Sequence, residues 1–201
     1  MNKNLPKTLR ELSGRNSTPE TLEKSVILVI DAQKEYTEGA LPLFEIDKSI
    51  DALAKFLNRA RAKNTPIIHI VHTGGVNGKI FNPDGPFFEI IDKVKPTEGE
   101  IIIEKKFPSS FTGTTLEETL KKIGKKDLII TGYMTHMCVN STTREATEKG
   151  YNCTIISELT TTRDLPDGKG GIISAENVKK VNLASLADSF AIVLEKPSEL
   201  L

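Results

Sequence analysis

Six short apolar runs, most of them rich in β-branched residues, constrain the fold of this chain more than any other feature. They are Val26-Ile27-Leu28-Val29-Ile30, Ile67-Ile68-His69-Ile70-Val71, Ile101-Ile102-Ile103, Leu128-Ile129-Ile130, Cys153-Thr154-Ile155-Ile156 and Ala191-Ile192-Val193-Leu194. The first of them, apolar throughout rather than alternating, is expected to be a strand buried on both faces. The stretches between the runs change period. Residues 47–63 place Ile50, Leu53, Ala54, Leu57 and Ala60 at helical spacing among charges. Residues 115–123 read as a helix with Gly124 as its cap, residues 138–149 as a helix ending at Gly150, and residues 175–187 as a helix carrying Val178, Val181, Leu183, Leu186 and Ala187. A Gly-, Pro- and Asn-rich loop from residue 73 to residue 86 joins the second and third runs. Such alternation predicts a doubly wound, Rossmann-like α/β domain, with a mostly parallel six-stranded sheet and helices on both faces. The domain spans residues 25–201. The polar arm before it, residues 1–24, either is flexible or packs on a partner subunit.

Composition excludes several classes. Lys+Arg and Asp+Glu are balanced at 27 each, so no basic surface points to nucleic acid. No apolar run approaches the length of a membrane span, and the N-terminus lacks the apolar core of a secretory signal. Two cysteines make no disulfide framework. The expectation is a cytoplasmic protein with Cys138 and Cys153 reduced.

In a doubly wound sheet, sites form outside the carboxyl ends of the strands. The first run ends in Asp31, the third in Glu104-Lys105-Lys106, and the fourth leads through a polar turn to Cys138. A carboxylate after five apolar residues is poorly solvated, which raises its pKa and suits it to proton transfer. A thiol at a helix start is expected to ionise near neutral pH, helped by the helix dipole and a neighbouring lysine. Each residue alone also has an ordinary reading: a turn aspartate, a solvated lysine pair, a small buried cysteine. Their joint placement at three strand ends is the informative feature.

Three stretches around these residues resemble the isochorismatase-like cysteine hydrolases, which include nicotinamidases, N-carbamoylsarcosine amidases and ureidoacrylate hydrolases. Asp31-Ala32-Gln33-Lys34-Glu35-Tyr36 resembles the family's D-x-Q-x-x-F, with Tyr36 for the usual Phe. Lys105 to Phe111 resembles its K-x-x-x-S-x-F. Gly132-Tyr133-Met134-Thr135-His136-Met137-Cys138-Val139, followed by Thr142, Ala146 and Gly150-Tyr151, resembles its G-x-x-T-x-x-C-V-x-x-T-x-x-x-A-x-x-x-G-Y. The resemblance implies a catalytic triad of Asp31, Lys105 and Cys138, and hydrolysis of an amide or carbamoyl C–N bond through a thioester. Lys105 is preferred to Lys106 by its spacing from Phe111, and because adjacent strand residues face opposite sides. The resemblance also implies a cis peptide at Tyr133–Met134, with the N–H groups of Met134 and Cys138 as oxyanion donors. It further implies a small amide-like substrate, no cofactor and a homodimer or homotetramer. Members that cleave the vinyl ether of isochorismate commonly carry Gly at the nucleophile position, so Cys138 favours the amidase branch.

Nicotinamidases in the family bind a zinc-type ion through an Asp-x-His segment after the second strand. Here that region reads His69-Ile70-Val71-His72-Thr73. Two histidines three apart on a strand face opposite ways, so no metal is expected. His69 is read as a core residue, and His72, His136 and Phe44 as substrate contacts. Phe81, Phe87 and Phe88 either wall an apolar pocket with Phe44 or pack beneath their loop. Cys153 is read as core. Two other readings remain: a non-catalytic binder on the same fold, and a dinucleotide-binding protein, against which stands the lack of G-x-G-x-x-G after the first strand.

Overall fold

The computed structural model describes residues 5–200; residues 1–4 of the arm and Leu201 lie outside them. In chain order the main elements are α1 (Leu9–Leu12), β1 (Ser25–Ile30), α2 (Ile46–Ala62), β2 (Ile67–His72), β3 (Ile101–Lys105), α3 (Leu116–Ile123), β4 (Asp127–Tyr133), α4 (Asn140–Glu148), β5 (Asn152–Thr161), β6 (Leu165–Pro166), β7 (Ile172–Ile173), α5 (Ala175–Ser189) and β8 (Ala191–Leu194). The six long strands form one sheet in the order β3-β2-β1-β4-β5-β8, and every pairing is parallel. The strand order reverses between β1 and β4. That switch point opens a crevice at the carboxyl ends of those two strands.

Helices cover both faces, as an all-parallel sheet requires. On one face α2 buries Ile50, Leu53, Phe56, Leu57 and Ala60 against Ile27, Val29, Ile67 and Ile129. On the other, Leu116 and Leu120 of α3, Ala146 of α4 and Leu183 and Leu186 of α5 pack against Val26, Leu28, Ile30, Ile68, Ile70 and Ile130. His69 is buried on the α2 side, its Nε2 2.8 Å from Glu100, which also pairs with Arg61 at 2.8 Å. The arm residues that are described dock on their own chain: Leu9 N donates to Asp188 of α5 and Arg15 donates to the Ser189 carbonyl.

The structure departs from the sequence reading in three places. Strand β5 runs on to Thr161, past a register shift opposite the Ile130–Gly132 segment of β4. Polar Ser157 and Glu158 hide this extension, because they interrupt the apolar run. Residues 160–171, which follow the fifth apolar run, therefore begin as strand and continue into the antiparallel β6–β7 ribbon. The helix expected from residue 138 begins at Asn140; before it lies a π-helical turn, Thr135–Val139, that contains Cys138.

Gly132, near the end of β4, has φ +95°. A Cβ there would meet the Ile30 carbonyl oxygen at 2.1 Å and the Ile30 nitrogen at 2.6 Å, both backbone atoms that cannot swing aside. Gly132 thus lets β4 lie against Ile30, the residue before Asp31. Gly132→Ala should lower the free energy of unfolding by about 2–4 kcal/mol, combining overpacking with a positive φ. Urea denaturation with an unchanged m-value checks this; a loss below about 0.5 kcal/mol would show that the strand ends tolerate a shift.

Candidate active site

Each strand end contributes one side chain. Asp31 leaves β1 with φ 49°, a left-handed conformation that Asp tolerates better than most residues. It is fully buried, and among the described residues its oxygens meet only the Lys105 ammonium and the Cys138 thiol. Lys105, the last residue of β3, is 1 % exposed, whereas Lys106 faces solvent. Its Nζ lies 2.8 Å from Asp31 Oδ2, 3.3 Å from Cys138 Sγ and 3.2 Å from His72 Nδ1. An ammonium has three protons and no lone pair, so these three neighbours saturate it.

Burial dominates the electrostatics. It pushes the Asp31 carboxyl up, against the opposing pull of Lys105 and a smaller one from the Cys138 thiol. It also pushes the Cys138 thiol well up, and the Asp31 charge adds to that effect, while Lys105 only partly offsets both. The expectation of a thiol ionised near neutral pH is therefore corrected. At 5 % exposure inside a π-helical turn, Cys138 loses more by desolvation than a helix start and one lysine return. It rests as a thiol beside a carboxylate that binds protons more readily than usual.

The turn holding Cys138 is built by β4 and its neighbours. The Tyr133–Met134 peptide is cis. The Met134 carbonyl accepts from Met137 N at 3.0 Å and Val139 N at 3.2 Å, passing over the N–H of Cys138. Among the described residues no acceptor faces the N–H of Met134. Thr135 and Thr160 bridge the turn to β5 through their hydroxyls at 2.8 Å. His136 Nδ1 bonds the Thr162 hydroxyl, and burial, with the charge of Arg163, holds its imidazole below the usual histidine pKa.

The motif segments also hold one another in place. Ser110 N donates to Thr142 Oγ1 at 3.0 Å, Ser109 Oγ donates to Glu145, and the Phe111 and Tyr151 rings stack at 5.9 Å. The loop after Lys105 is thereby fixed to the helix after Cys138. Gln33 clamps the next edge: its Nε2 donates to the carbonyls of His72 and Phe88, and its Oε1 accepts from His72 N.

His72 is half-buried, and Phe81 packs edge-on against both His72 (5.1 Å) and Tyr36 (5.3 Å). Phe87 and Phe88 are half-buried in the same loop. Phe44 stands apart from them. It is 42 % exposed and lines a 620 Å³ cleft between α2, β5 and α5 that includes neither Asp31, Lys105 nor Cys138. An aromatic wall joining Phe44 to the other three is not formed, because Phe44 is tethered through its backbone to Thr161 and Thr162. Cys153 is buried beside Thr147, its thiol pushed up to about 12 by desolvation. Among the described residues no three His, Cys, Asp or Glu side chains cluster as a metal site. Nor does the β2 end fit a cation: His69 is turned to Glu100, and His72 Nδ1 is occupied by an ammonium.

Two features were not singled out in the sequence. Gln33 lies inside a motif, but its role as a clamp depends on a loop whose path the sequence leaves open. Arg163 follows Thr162 on the turn side of β5. Its Nε is buried without an acceptor, and its charge acts on both His136 and Tyr36. A basic residue just past a threonine-rich strand end was the available signal.

Residues 25–196 match the isochorismatase domain family. The chain is 34 % identical over 187 residues to a secreted isochorismatase effector of Verticillium dahliae, covering 93 % of this chain and 96 % of that protein. It is 28 % identical over 179 residues to nicotinamidase 3 of Arabidopsis thaliana, covering 85 % and 84 %. A crystal structure of an isochorismatase from Pseudomonas putida superposes with a TM-score of 0.92 at 41 % identity, covering 96 % of this chain and 99 % of that one.

The stacked effects on Cys138 give a measurable sign. Asp31→Asn removes the negative charge that raises the thiol and leaves Lys105 to pair with the thiolate. The titration midpoint of Cys138, followed by thiolate absorbance or by the pH dependence of iodoacetamide alkylation, should move down by about one unit or more. An upward or absent shift would mean that Asp31 does not sense the thiol.

Proposed function

The chain belongs to the isochorismatase family, and on that premise we propose that it hydrolyses an amide or carbamoyl C–N bond of a small molecule through a thioester on Cys138. The observation that carries this reading is the Lys105 ammonium, 2.8 Å from the Asp31 carboxylate and 3.3 Å from the Cys138 sulfur in a sealed site. The relative named a nicotinamidase supports amide chemistry. A thiol at this position supports acyl transfer over vinyl ether cleavage, which needs protonation of an enol ether rather than a nucleophile.

Asp31 takes the Cys138 proton as the sulfur attacks the carbonyl carbon, and Lys105 lies against both the sulfur and the carboxylate throughout. The oxyanion accepts from the N–H of Met134, which no described acceptor faces, and from that of Cys138. Asp31 returns the proton to the nitrogen as the C–N bond breaks, and the amine or ammonia departs. Water then loses a proton to Asp31 and attacks the thioester carbonyl; expulsion of the sulfur releases the acid, and the sulfur is reprotonated from Asp31. A raised carboxyl pKa suits this exchange, because it narrows the gap between Asp31 and a thiol that is itself raised. Arg163, with a buried and unpaired Nε near His136, favours amides that carry a negative group.

The test is ammonia release from nicotinamide, neutral aliphatic amides and carboxylate-bearing carbamoyl compounds. Cys138→Ala should lower kcat/KM by at least about a thousandfold, and mass spectrometry of a quenched turnover should find an acyl adduct on Cys138 alone. Full activity in Cys138→Ala would eliminate the mechanism. Asp31 acts in its unprotonated form, and its pKa is raised, so activity should fall as the pH drops through a value above the ordinary aspartate pKa of about 3.9. A limb at or below that value would assign the base elsewhere.

A further inference from the structure

His72 sits at the end of β2, in register with Lys105 on β3. The two side chains share a face of the sheet, and Lys105 must pass His72 to reach Asp31 at the end of β1. Its Nζ stops 3.2 Å from His72 Nδ1. Since an ammonium only donates, Nδ1 must be the bare, accepting nitrogen, and the proton of the neutral ring is confined to Nε2. Burial, and then the Lys105 charge, hold the His72 pKa down to about 4, so this tautomer is the form present at neutral pH. The Nε2 atom has no protein acceptor among the described residues, yet it is not sealed off as His69 Nδ1 is. The ring has little freedom to turn: Gln33 grips the His72 backbone on both its N–H and its carbonyl, and Phe81 packs edge-on against the imidazole.

We infer that His72 is a positioning residue for Lys105 whose enforced tautomer presents an Nε2–H donor to an acceptor group on the substrate, one bonded neighbour away from the nucleophile. This deepens the amidase reading and rests on it. One face of the imidazole edge supplies the third partner of the ammonium, which keeps Lys105 centred between the carboxylate and the sulfur. The opposite edge becomes a donor of fixed polarity. A substrate offering a carbonyl, carboxylate or ring nitrogen there gains a hydrogen bond; one offering only donors does not. An imidazole with nothing bonded to Nδ1 would accommodate either.

Two measurements test this. The first needs no substrate: ¹⁵N–¹H correlation spectra of the wild-type protein between pH 5.5 and 8.5 should show His72 neutral throughout, with Nε2 protonated and Nδ1 bare. The second separates the two edges. Asn at position 72 keeps an acceptor where Nδ1 was and loses the distal donor; Gln places a donor near the Nε2 position and loses the acceptor; Phe keeps the packing on Phe81 and loses both. With nicotinamide and N-carbamoylglycine as probes, His72→Asn should act mainly on KM, raising it about tenfold. His72→Gln should act mainly on kcat, lowering it about tenfold, and His72→Phe should do both. A His72 that is charged at pH 7 or protonated on Nδ1 would overturn the inference, as would a His72→Phe protein with wild-type KM and kcat. If neither probe is hydrolysed by the wild type, the amidase reading fails on those substrates, while the spectra still decide whether Lys105 sets the tautomer.

Discussion

The contact on which the site depends is the ion pair between Lys105 and Asp31, two charges with no solvent exposure at either side chain. Such a pair is a poor source of stability. Desolvating both groups costs more than a hydrophobic contact of equal size, whereas removing one partner leaves a buried charge that costs roughly 3–5 kcal/mol. The fold is arranged so that neither is left alone. Asp31 is held in a left-handed backbone conformation at the end of β1, and Lys105 is the last residue of a strand two places away. Only a parallel sheet brings both side chains to the same edge, and only the switch between β1 and β4 adds Cys138 to them. The links from Ser109 and Ser110 to α4 join the second and third motif segments, and the Gln33 clamp ties the first to the end of β2 and the loop at Phe88, so both read as supports of this geometry.

The sequence exposes the frame of this arrangement better than its interior. All six strands of the sheet were legible because each carries a short, mainly apolar run between polar stretches, and α2 was legible from its spacing. Asp31 and Lys105 were legible from position, since strand ends are where a doubly wound sheet places polar side chains with something to do. What escaped was local backbone detail. A π-helical turn has no side-chain period of its own, so residues 135–139 read as the start of a helix. The extension of β5 is carried by threonines that bond within the site, and polar strand residues leave no apolar signal.

The state of Cys138 is the clearest case of a magnitude that sequence cannot supply. A helix start and a nearby lysine both lower a thiol pKa, and both are visible in the residues. Burial and an adjacent carboxylate raise it, and their size depends on packing that appears only in three dimensions. Here the second pair wins. On the proposed reading this is consistent with chemistry rather than adverse to it: a resting thiol is protected from adventitious oxidation, and a proton moves over a short distance to a carboxyl that is itself raised.

The histidines narrow the choice of base further. Cysteine hydrolases often rely on an imidazole, and two stand near this thiol. Yet His136 is bound through Nδ1 to Thr162 and held below its usual pKa by burial and Arg163, and His72 gives its one accepting nitrogen to Lys105. An imidazole whose lone pair is already engaged by an ammonium cannot take a proton from sulfur. Asp31 has the opposite character. Its oxygens meet only the Lys105 ammonium and the Cys138 thiol among the described residues, its pKa is raised by burial, and it lies on the far side of the same ammonium from His72. On the proposed reading the lone pair that receives the thiol proton is therefore a carboxylate one, and the lysine that engages His72 is the same group that favours the charged form of Asp31 against its burial.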